Sequence, residues 1–282
     1  MIAVAVLTVV EISRRRFVLL ALLGTVAIAA LTAWGFHSLH AGAGLHGQPM
    51  SDLRARQSAA ALLPLIAYLY SFVLAFAAAM LGATMLTAEV ESGVLLPVLA
   101  RPISRAAVVA GKALGLAAVL CAYAAFSGLL EFAVVDATMG FLPPHPFLAV
   151  CGLAGVALVV LAFTLALGSR LQAIACGLVS IVVFGVAWIA GIVASLAGVY
   201  HNETLMHAGT VSQLLFPSDA LWRVTAYQLE PVALVTQLQS NLGWSGPFWV
   251  TAPPPPAMVI WSAVWIVAVL ALAARSFSTR DV

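Results

Sequence analysis

The chain alternates long apolar runs with short polar connectors, and this pattern predicts six membrane-spanning helices. A helix needs about 20 mostly apolar residues to cross the hydrocarbon core of a bilayer. The runs of that length are Phe17–Phe36, Ala59–Met85, Ala113–Val135, Phe147–Leu167, Ala173–Tyr200 and Ala257–Ala274. Three arginines precede the first run, as in a signal peptide, but the run is longer than a signal-peptide core and lacks a nearby cleavage site. We therefore expect it to be kept as the first span.

Composition agrees with this pattern. Hydrophobic residues make up 63% of the 282 residues, charged residues 8%, and the mean hydropathy is +1.11. Soluble proteins carry about 25% charged residues, so the fold class is an all-α polytopic membrane protein, with residues 1–282 as a single transmembrane domain. The chain has no Lys/Arg run with interleaved aromatic residues, so no nucleic-acid partner is predicted. Cys121, Cys151 and Cys176 lie in apolar stretches without CxxC spacing, which indicates free thiols.

Lys and Arg residues predict the orientation. With six spans and the N-terminus inside, nine of the twelve basic residues are cytoplasmic: Arg14, Arg15, Arg16, Arg101, Arg105, Lys112, Arg170, Arg275 and Arg280. The outer face keeps Arg54, Arg56 and Arg223. A shift of one span would reverse this bias, so the positive-inside rule places both termini in the cytoplasm of a multi-pass cell-membrane protein.

Two connectors are predicted to be helical. Residues 1–16 are predicted to form an interfacial helix on the inner face, because Thr8, Glu11 and Arg15 make a narrow polar stripe in an otherwise apolar segment. The alternative is a frayed apolar terminus. Residues 201–256 are long and semi-apolar, and they are expected to form short outer helices packed over the bundle rather than a separate domain.

The loop at residues 87–112, TAEVESGVLLPVLARPISRAAVVAGK, combines charged residues with an apolar run. A short amphipathic helix at Ser92–Leu99, ended by Pro97 or Pro102, would let one face dock onto another molecule at the membrane surface. The alternative is an interface helix whose charges only hold the topology. The candidate docking residues are Glu89, Glu91, Ser92, Gly93, Leu95, Leu96, Arg101 and Arg105.

Three segments resemble the permeases of ABC type-2 transporters. The first is Glu91-Ser92-Gly93, an apolar run, Ala100-Arg101-Pro102-Ile103-Ser104-Arg105 and then Gly111-Lys112, which is similar to the family's first cytoplasmic loop. The second, Pro217-Ser218-Asp219-Ala220-Leu221-Trp222-Arg223, resembles its outer segment, with Phe216 where the family has Asn. The third is the C-terminal Phe277-Ser278-Thr279-Arg280-Asp281-Val282. The layout is most similar to the six-span branch that includes the membrane subunit of the nitrous-oxide-reductase maturation transporter.

The resemblance implies the permease subunit of an ATP-driven exporter in a bacterial inner membrane. Its partners would be two copies of an ABC ATPase subunit, a second permease as homodimer or heterodimer, and membrane lipid. The loop at residues 87–112 would be the coupling helix that receives the movement of the ATPase. This chain would hold no cofactor of its own, while ATP and Mg²⁺ would bind the partner subunit.

The chain shows no motif for chemistry of its own. Gly111-Lys112 lacks the upstream glycine and the following Ser/Thr of a phosphate-binding loop, so ATP hydrolysis needs a separate subunit. There is no HExxH motif and no catalytic Ser/His/Asp or Cys/His set at one depth. The expectation is that the chain is not an enzyme.

Two acids and three histidines leave alternatives open. Glu131 lies about 28 Å along the third span from Lys112, near its outer end, where it can reach water; it is a weak candidate for the substrate path, and Asp136 a weaker one. A proton- or ion-coupled secondary carrier using both acids is the alternative function, and a structural scaffold is a third. His37, His40 and His46 face outward, but without a carboxylate or Cys at ligand spacing no metal site is predicted.

Overall fold

The computed structural model describes residues 1–14, 16–41, 51–84, 105–200, 202–231, 250 and 252–278. Within these residues the chain forms nine helices: α1 (Ile2–Ser13), α2 (Arg16–His40), α3 (Asp52–Gly82), α4 (Arg105–Met139), α5 (Pro146–Gly168), α6 (Ala173–Val199), α7 (Glu203–Leu215), α8 (Ser218–Leu229) and α9 (Pro256–Ser278). Six of them, α2 to α6 and α9, are long and apolar enough to cross a membrane. The predicted all-helical architecture with six candidate spans is confirmed.

Helix α5 is the centre of the bundle. It is the most buried of the six candidate spans, and α3, α4, α8 and α9 all pack against it. Leu153, Val160 and Leu165 are fully or almost fully buried there. Pro146 starts α5 at the first helical position, where a missing N–H costs no hydrogen bond.

The helix ends collect at two sides of the bundle. At one side α3, α5 and α9 finish while α2, α4 and α6 begin. There Ser169 after α5 and Ser276 of α9 place their hydroxyl oxygens 2.8 Å apart, and Met80 of α3 reaches Gly177 of α6. We call this side the basic end, because Arg14, Lys112, Arg170 and Arg275 lie toward it. The other side is the opposite end.

Helices α3 and α4 are the longest of the six candidate spans, and both are longer than the hydrocarbon core is thick. Helix α3 has 31 residues and α4 has 35, or about 46 and 52 Å, against a hydrocarbon core of about 30 Å. Counting consecutive apolar residues in the sequence predicts only the apolar part of a helix. Backbone hydrogen bonds continue the helix into the polar residues on either side, so α3 starts at Asp52 instead of Ala59.

Helix α1 packs directly onto the first turns of α4. A β-carbon on Gly111 would lie 2.8 Å from the carbonyl oxygen of Met1, and one on Gly115 would lie 2.7 Å from that of Ala5. The two glycines therefore allow backbone-to-backbone approach, as small residues do between membrane helices. Thr8 is buried in this contact while Glu11 is exposed, so the predicted polar stripe does not form one exposed face: Thr8 bonds to the carbonyl of Val4 inside α1 and turns toward α4.

Candidate transport pathway

Helices α7 and α8 form a helical hairpin that enters the bundle from the opposite end. We call it the inserted hairpin; Phe216 and Pro217 make its tip. The Asn202 side chain caps α7 by accepting a hydrogen bond from the backbone N–H of Leu205. Helix α7 lies along α6, where Gly209 contacts Ala194, and α8 lies along α5. The outer segment was expected to pack over the bundle; α8 instead packs within it, whereas α7 lies along the outside of α6 with only Gly209 buried.

Contacts with α5 show how deep the hairpin reaches. The carbonyl of Gln228, near the end of α8, accepts a hydrogen bond from the N–H of His145, just before α5. Ser218, at the start of α8, lines a small gap with Val156, ten residues farther along α5, or about 15 Å. That distance is about half the thickness of a hydrocarbon core, so the tip reaches about halfway along a membrane-spanning length from the start of α5.

A polar network holds the tip of the inserted hairpin. Asp219, which is 9% exposed, accepts hydrogen bonds on Oδ2 from Arg223 Nε at 2.9 Å and from Gln213 Nε2 at 2.6 Å. Arg223 Nη2 also donates to Ser195 Oγ at 2.9 Å and to the carbonyl of Gly191 at 3.3 Å on α6. The network therefore joins α7, α8 and α6.

This ion pair meets the condition under which a buried pair persists, namely that further hydrogen bonds satisfy its remaining groups. Asp219 also lies in the first turn of α8, where a carboxylate complements the helix dipole. A β-carbon on Gly191 would overlap the Asp219 carboxylate, so a larger residue there would displace this carboxylate from its hydrogen bonds with Arg223 and Gln213. The hydrogen bonds of Arg223 thus fasten the tip to α6.

Five aromatic residues surround the inner side of this tip: Tyr68, Phe72, Phe184, Trp188 and Trp222, which we call the aromatic cluster. Tyr68 of α3 stacks on Trp188 of α6 with ring centroids 5.2 Å apart, and its centroid is 4.6 Å from that of Trp222 of α8. Phe72 meets Phe184 and Trp188 edge to face at 5.2 and 4.8 Å. Such contacts each add about 0.5–1.5 kcal/mol beyond burial. The cluster ties the hairpin to two spans.

An apolar cavity of about 530 Å³ lies on the basic-end side of the aromatic cluster. It is bounded by α2, α3, α4 and α6, and its lining residues are Leu20, Ala21, Gly24, Thr25, Ile28, Phe72, Val73, Ala75, Phe76, Ala77, Tyr123, Ile181 and Phe184. The two polar side chains in the lining, Thr25 and Tyr123, are hydrogen-bonded to each other at 2.8 Å. The cavity is large enough for a ligand. Because the two polar side chains of its lining are bonded to each other, its surface suits an apolar group.

Phe72 and Phe184 belong to both the cavity and the aromatic cluster. The order from the basic end is therefore cavity, aromatic cluster, hairpin tip and Asp219 network. The aromatic cluster and the hairpin therefore lie between the cavity and the opposite end. The arrangement is that of a binding space closed on one side.

The sequence profile of the family described as "ABC-2 family transporter protein" matches residues 5–282. The chain belongs to this family. It is a multi-pass ABC transporter membrane permease, and permeases of this family usually lack an ATPase domain, which implies an ATPase partner. None of the curated proteins matches the chain at a significant level. The predicted family is confirmed, and the cavity and hairpin are therefore features of a transporter permease.

Glu131 of this ABC-2 permease is buried, although the sequence placed it within reach of water. It is 2% exposed, because α2 and α3 cover this face of α4. The hydroxyl groups of Thr32 and Tyr70 lie next to the carboxyl. Among the described residues, neither carboxyl oxygen has a partner in hydrogen-bonding geometry. Asp136, in contrast, is exposed. A role of Glu131 in the substrate path stays a prediction.

The predicted docking residues of the permease fall in the loop after α3. Glu89, Glu91, Ser92, Gly93, Leu95, Leu96 and Arg101 lie outside the described residues, and so does the side chain of Arg105, the first residue of α4. His46 is outside them as well. In the described part of the chain no three His, Cys, Asp or Glu side chains come together as metal ligands. None of the three cysteines forms a disulfide, as predicted.

Sequence reasoning used the Asp219–Arg223 segment only as a family likeness. Three pairs spaced four residues apart carried more information: Asp219 with Arg223, Tyr68 with Phe72, and Phe184 with Trp188. Residues at i and i+4 share a helix face, so each pair could have been placed on one side of its helix. The sequence offers no comparable indication of the cavity, because the apolar residues that line it cannot be distinguished in sequence from those that face lipid or other helices.

Proposed function

We propose that this chain is the permease subunit of an ATP-driven exporter that moves an apolar or amphipathic substrate. The observation that carries the proposal is the apolar cavity between α2, α3, α4 and α6, next to the aromatic cluster. A separate ATPase subunit supplies the energy, with ATP and Mg²⁺ bound to that subunit. Substrate would enter the cavity from the membrane interior or the basic end, and it would leave when the hairpin tip moves away from α6.

The basic end is proposed to face the cytoplasm, with both termini on that side of a bacterial inner membrane. The support is the nine-to-three distribution of Lys and Arg, since each basic residue opposes translocation of its loop. Under this orientation the inserted hairpin enters from the outer side. Its network would therefore close the pathway against the exterior.

The ATPase is proposed to dock on residues 87–112, with Ser92–Leu99 as the coupling helix and Glu89, Glu91 and Arg101 as charged contacts. The support is the likeness of this loop to the family's first cytoplasmic loop. Arg105 leads straight into α4, and α4 carries α1 at Gly111 and Gly115. Movement of the loop would then reach α1 and α4 together, with α1 at the inner interface.

The assembly is proposed to contain two permeases and two ATPase subunits, with the substrate route extending to the interface between the permeases. The second permease would be a copy of this chain, giving a homodimer, or a related permease, giving a heterodimer. The six spans and the three quoted segments support membership of the branch that includes the nitrous-oxide-reductase maturation permease.

The test is co-reconstitution of the permease with its ATPase in proteoliposomes. We expect a stable complex whose ATPase activity is stimulated by a hydrophobic fluorescent dye or a short-chain fluorescent phospholipid, and ATP-dependent movement of the active probe. Glu91→Lys should weaken the complex while membrane insertion stays normal. Movement driven by a proton gradient without ATP, and lost in Glu131→Gln, would instead establish the secondary carrier.

A further inference from the structure

A second, smaller pocket of about 400 Å³ lies at the basic end, between the ends of α5 and α9. It is lined by Ala166, Ser169, Arg170, Leu272, Arg275 and Ser276. The pocket is remote from the apolar cavity and shares no lining residue with it. The proposed export mechanism does not use it.

Two arginines from different helices face this one pocket. Arg170 follows the end of α5, Arg275 lies in the last turn of α9, and both are exposed. The hydroxyl oxygens of Ser169 and Ser276, 2.8 Å apart, lie between the two helix ends. Topology alone requires basic residues on this side of the membrane, and it does not require two of them to meet across a helix seam with two hydroxyls.

The pocket changes from polar to apolar with depth. Ala166 is about one turn deeper in α5 than Arg170, and Leu272 about one turn deeper in α9 than Arg275, or about 6 and 4.5 Å along the two helices. Leu272 is 60% exposed. A phospholipid has the same order, with a phosphate at the surface and methylene groups below it.

We propose that this pocket binds the phosphate of an anionic phospholipid in the adjoining leaflet. The guanidinium groups of Arg170 and Arg275 hold the phosphate oxygens, since arginine matches phosphate with paired N–H donors. Ser169 and Ser276 complete the polar rim, and the first acyl methylenes lie on Leu272. Basic pockets between membrane helices are known to select anionic headgroups. A freely dissolved phosphate would leave the apolar wall uncovered, so the lipid is the better fit.

The bound lipid would link α5, the centre of the bundle, to α9. Helix α9 is otherwise largely exposed, with Val264, Val267 and Leu272 each more than half exposed. A headgroup that bridges the two helix ends would hold α9 in place. The inference is independent of the substrate and of the ATPase.

The test measures lipid retention by the purified full-length permease with native mass spectrometry, using phosphatidylglycerol and phosphatidylcholine as probes. An arginine near the membrane surface contributes roughly fivefold in affinity, so we expect about 25-fold weaker phosphatidylglycerol binding in Arg170→Gln/Arg275→Gln, with phosphatidylcholine unchanged. Arg54→Gln, an exposed arginine at the opposite end, is the matched control. The double variant Arg170→Lys/Arg275→Lys should lose less phosphatidylglycerol binding, since it keeps both positive charges.

Three results would overturn the inference. Equal phosphatidylglycerol binding by the double variant and Arg54→Gln would show that the pocket binds no lipid. Competition by millimolar inorganic phosphate as strong as that by the lipid would make it a soluble-anion site. A matching loss of phosphatidylcholine would indicate general packing. Thermal stabilisation by phosphatidylglycerol, abolished in the double variant, serves as the second readout.

Discussion

Gly191 of α6 and Asp219 of α8 are packed so closely that a β-carbon on Gly191 would overlap the Asp219 carboxylate. The same carboxylate receives hydrogen bonds from Arg223 and Gln213. A glycine in a transmembrane helix thus makes the space in which the inserted hairpin is fastened. The close approach of α8 to α6 at this point depends on the absence of one methyl group.

Gly191→Ala is expected to loosen the inserted hairpin. Overpacking of a tight contact costs about 1–3 kcal/mol, so the variant should melt at a lower temperature in detergent, and Ser218→Cys introduced beside it should react faster with maleimide. The control is Gly185→Ala on the same helix, because a β-carbon at Gly185 meets no atom within 4 Å. Identical behaviour of the two alanine variants would contradict the importance of the contact.

Gly24→Phe is expected to block the apolar cavity. Gly24 lines the cavity, and a β-carbon there has no atom within 4 Å, so the ring can fill the space without disturbing the helix. Probe-stimulated ATPase activity of the reconstituted complex should fall at least tenfold while basal ATPase activity remains. Gly35→Phe is the matched control, because Gly35 is equally open on α2 but lies outside the cavity lining. A comparable loss in both variants would argue against a binding role for the cavity.

Gly115→Leu is expected to push α1 away from α4, since even a β-carbon would lie 2.7 Å from the Ala5 carbonyl oxygen. The variant should retain ATPase binding, lose stimulation of the ATPase by the probe, and expose α1 to proteolysis. Ala118→Leu places the same side chain on an exposed face of α4 and should behave like the unchanged protein. Protected α1 in Gly115→Leu would show that this contact is dispensable.

Glu230, beyond the end of α8, predicts a pH dependence of stability. Burial raises the pKa of its carboxyl from 4.5 to about 8, while a hydrogen bond from the N–H of Val250 opposes the shift. The folded protein keeps this proton where the unfolded chain releases it, so the contribution of Glu230 to stability is full below about pH 4.5 and is lost as the pH rises through about 8. The melting temperature should fall between pH 5.5 and pH 8.5.

Glu230→Gln should flatten this pH profile, because the amide cannot ionise. Glu203→Gln, an exposed carboxylate at the start of α7, provides the control and should keep the full slope. An unchanged slope in Glu230→Gln would assign the pH dependence to other groups.

The orientation is tested by single cysteines in a background without the three native thiols. Ser92→Cys and Ser278→Cys should resist a membrane-impermeant maleimide in intact cells, while Ser51→Cys and Ser240→Cys should react. The reason is the nine-to-three distribution of basic residues. Labelling of Ser92→Cys from outside would reverse the orientation and remove the proposed contact with a cytoplasmic ATPase.

The linear sequence determined the number of spans, the helical class and the family. The bilayer explains why: every backbone group in the hydrocarbon region needs a partner within its own helix, so about 20 apolar residues in a row are sufficient evidence of a span. The likeness of Pro217–Arg223 to a family segment could also be recognised from the sequence. The lengths of α3 and α4 could not be predicted from the sequence, because backbone hydrogen bonds extend a helix beyond its apolar run.

Only the tertiary structure decided which residues meet. It brought Gly191 and Asp219 together across 28 positions of the chain, turned Thr8 toward Gly115, and buried Glu131 against α2 and α3. In an apolar membrane helix every face looks alike in sequence, because lipid and protein neighbours favour the same side chains. Packing between helices therefore decides which face receives the inserted hairpin, which face lines the cavity and which face meets lipid. The periodicity of the sequence does not predict this assignment.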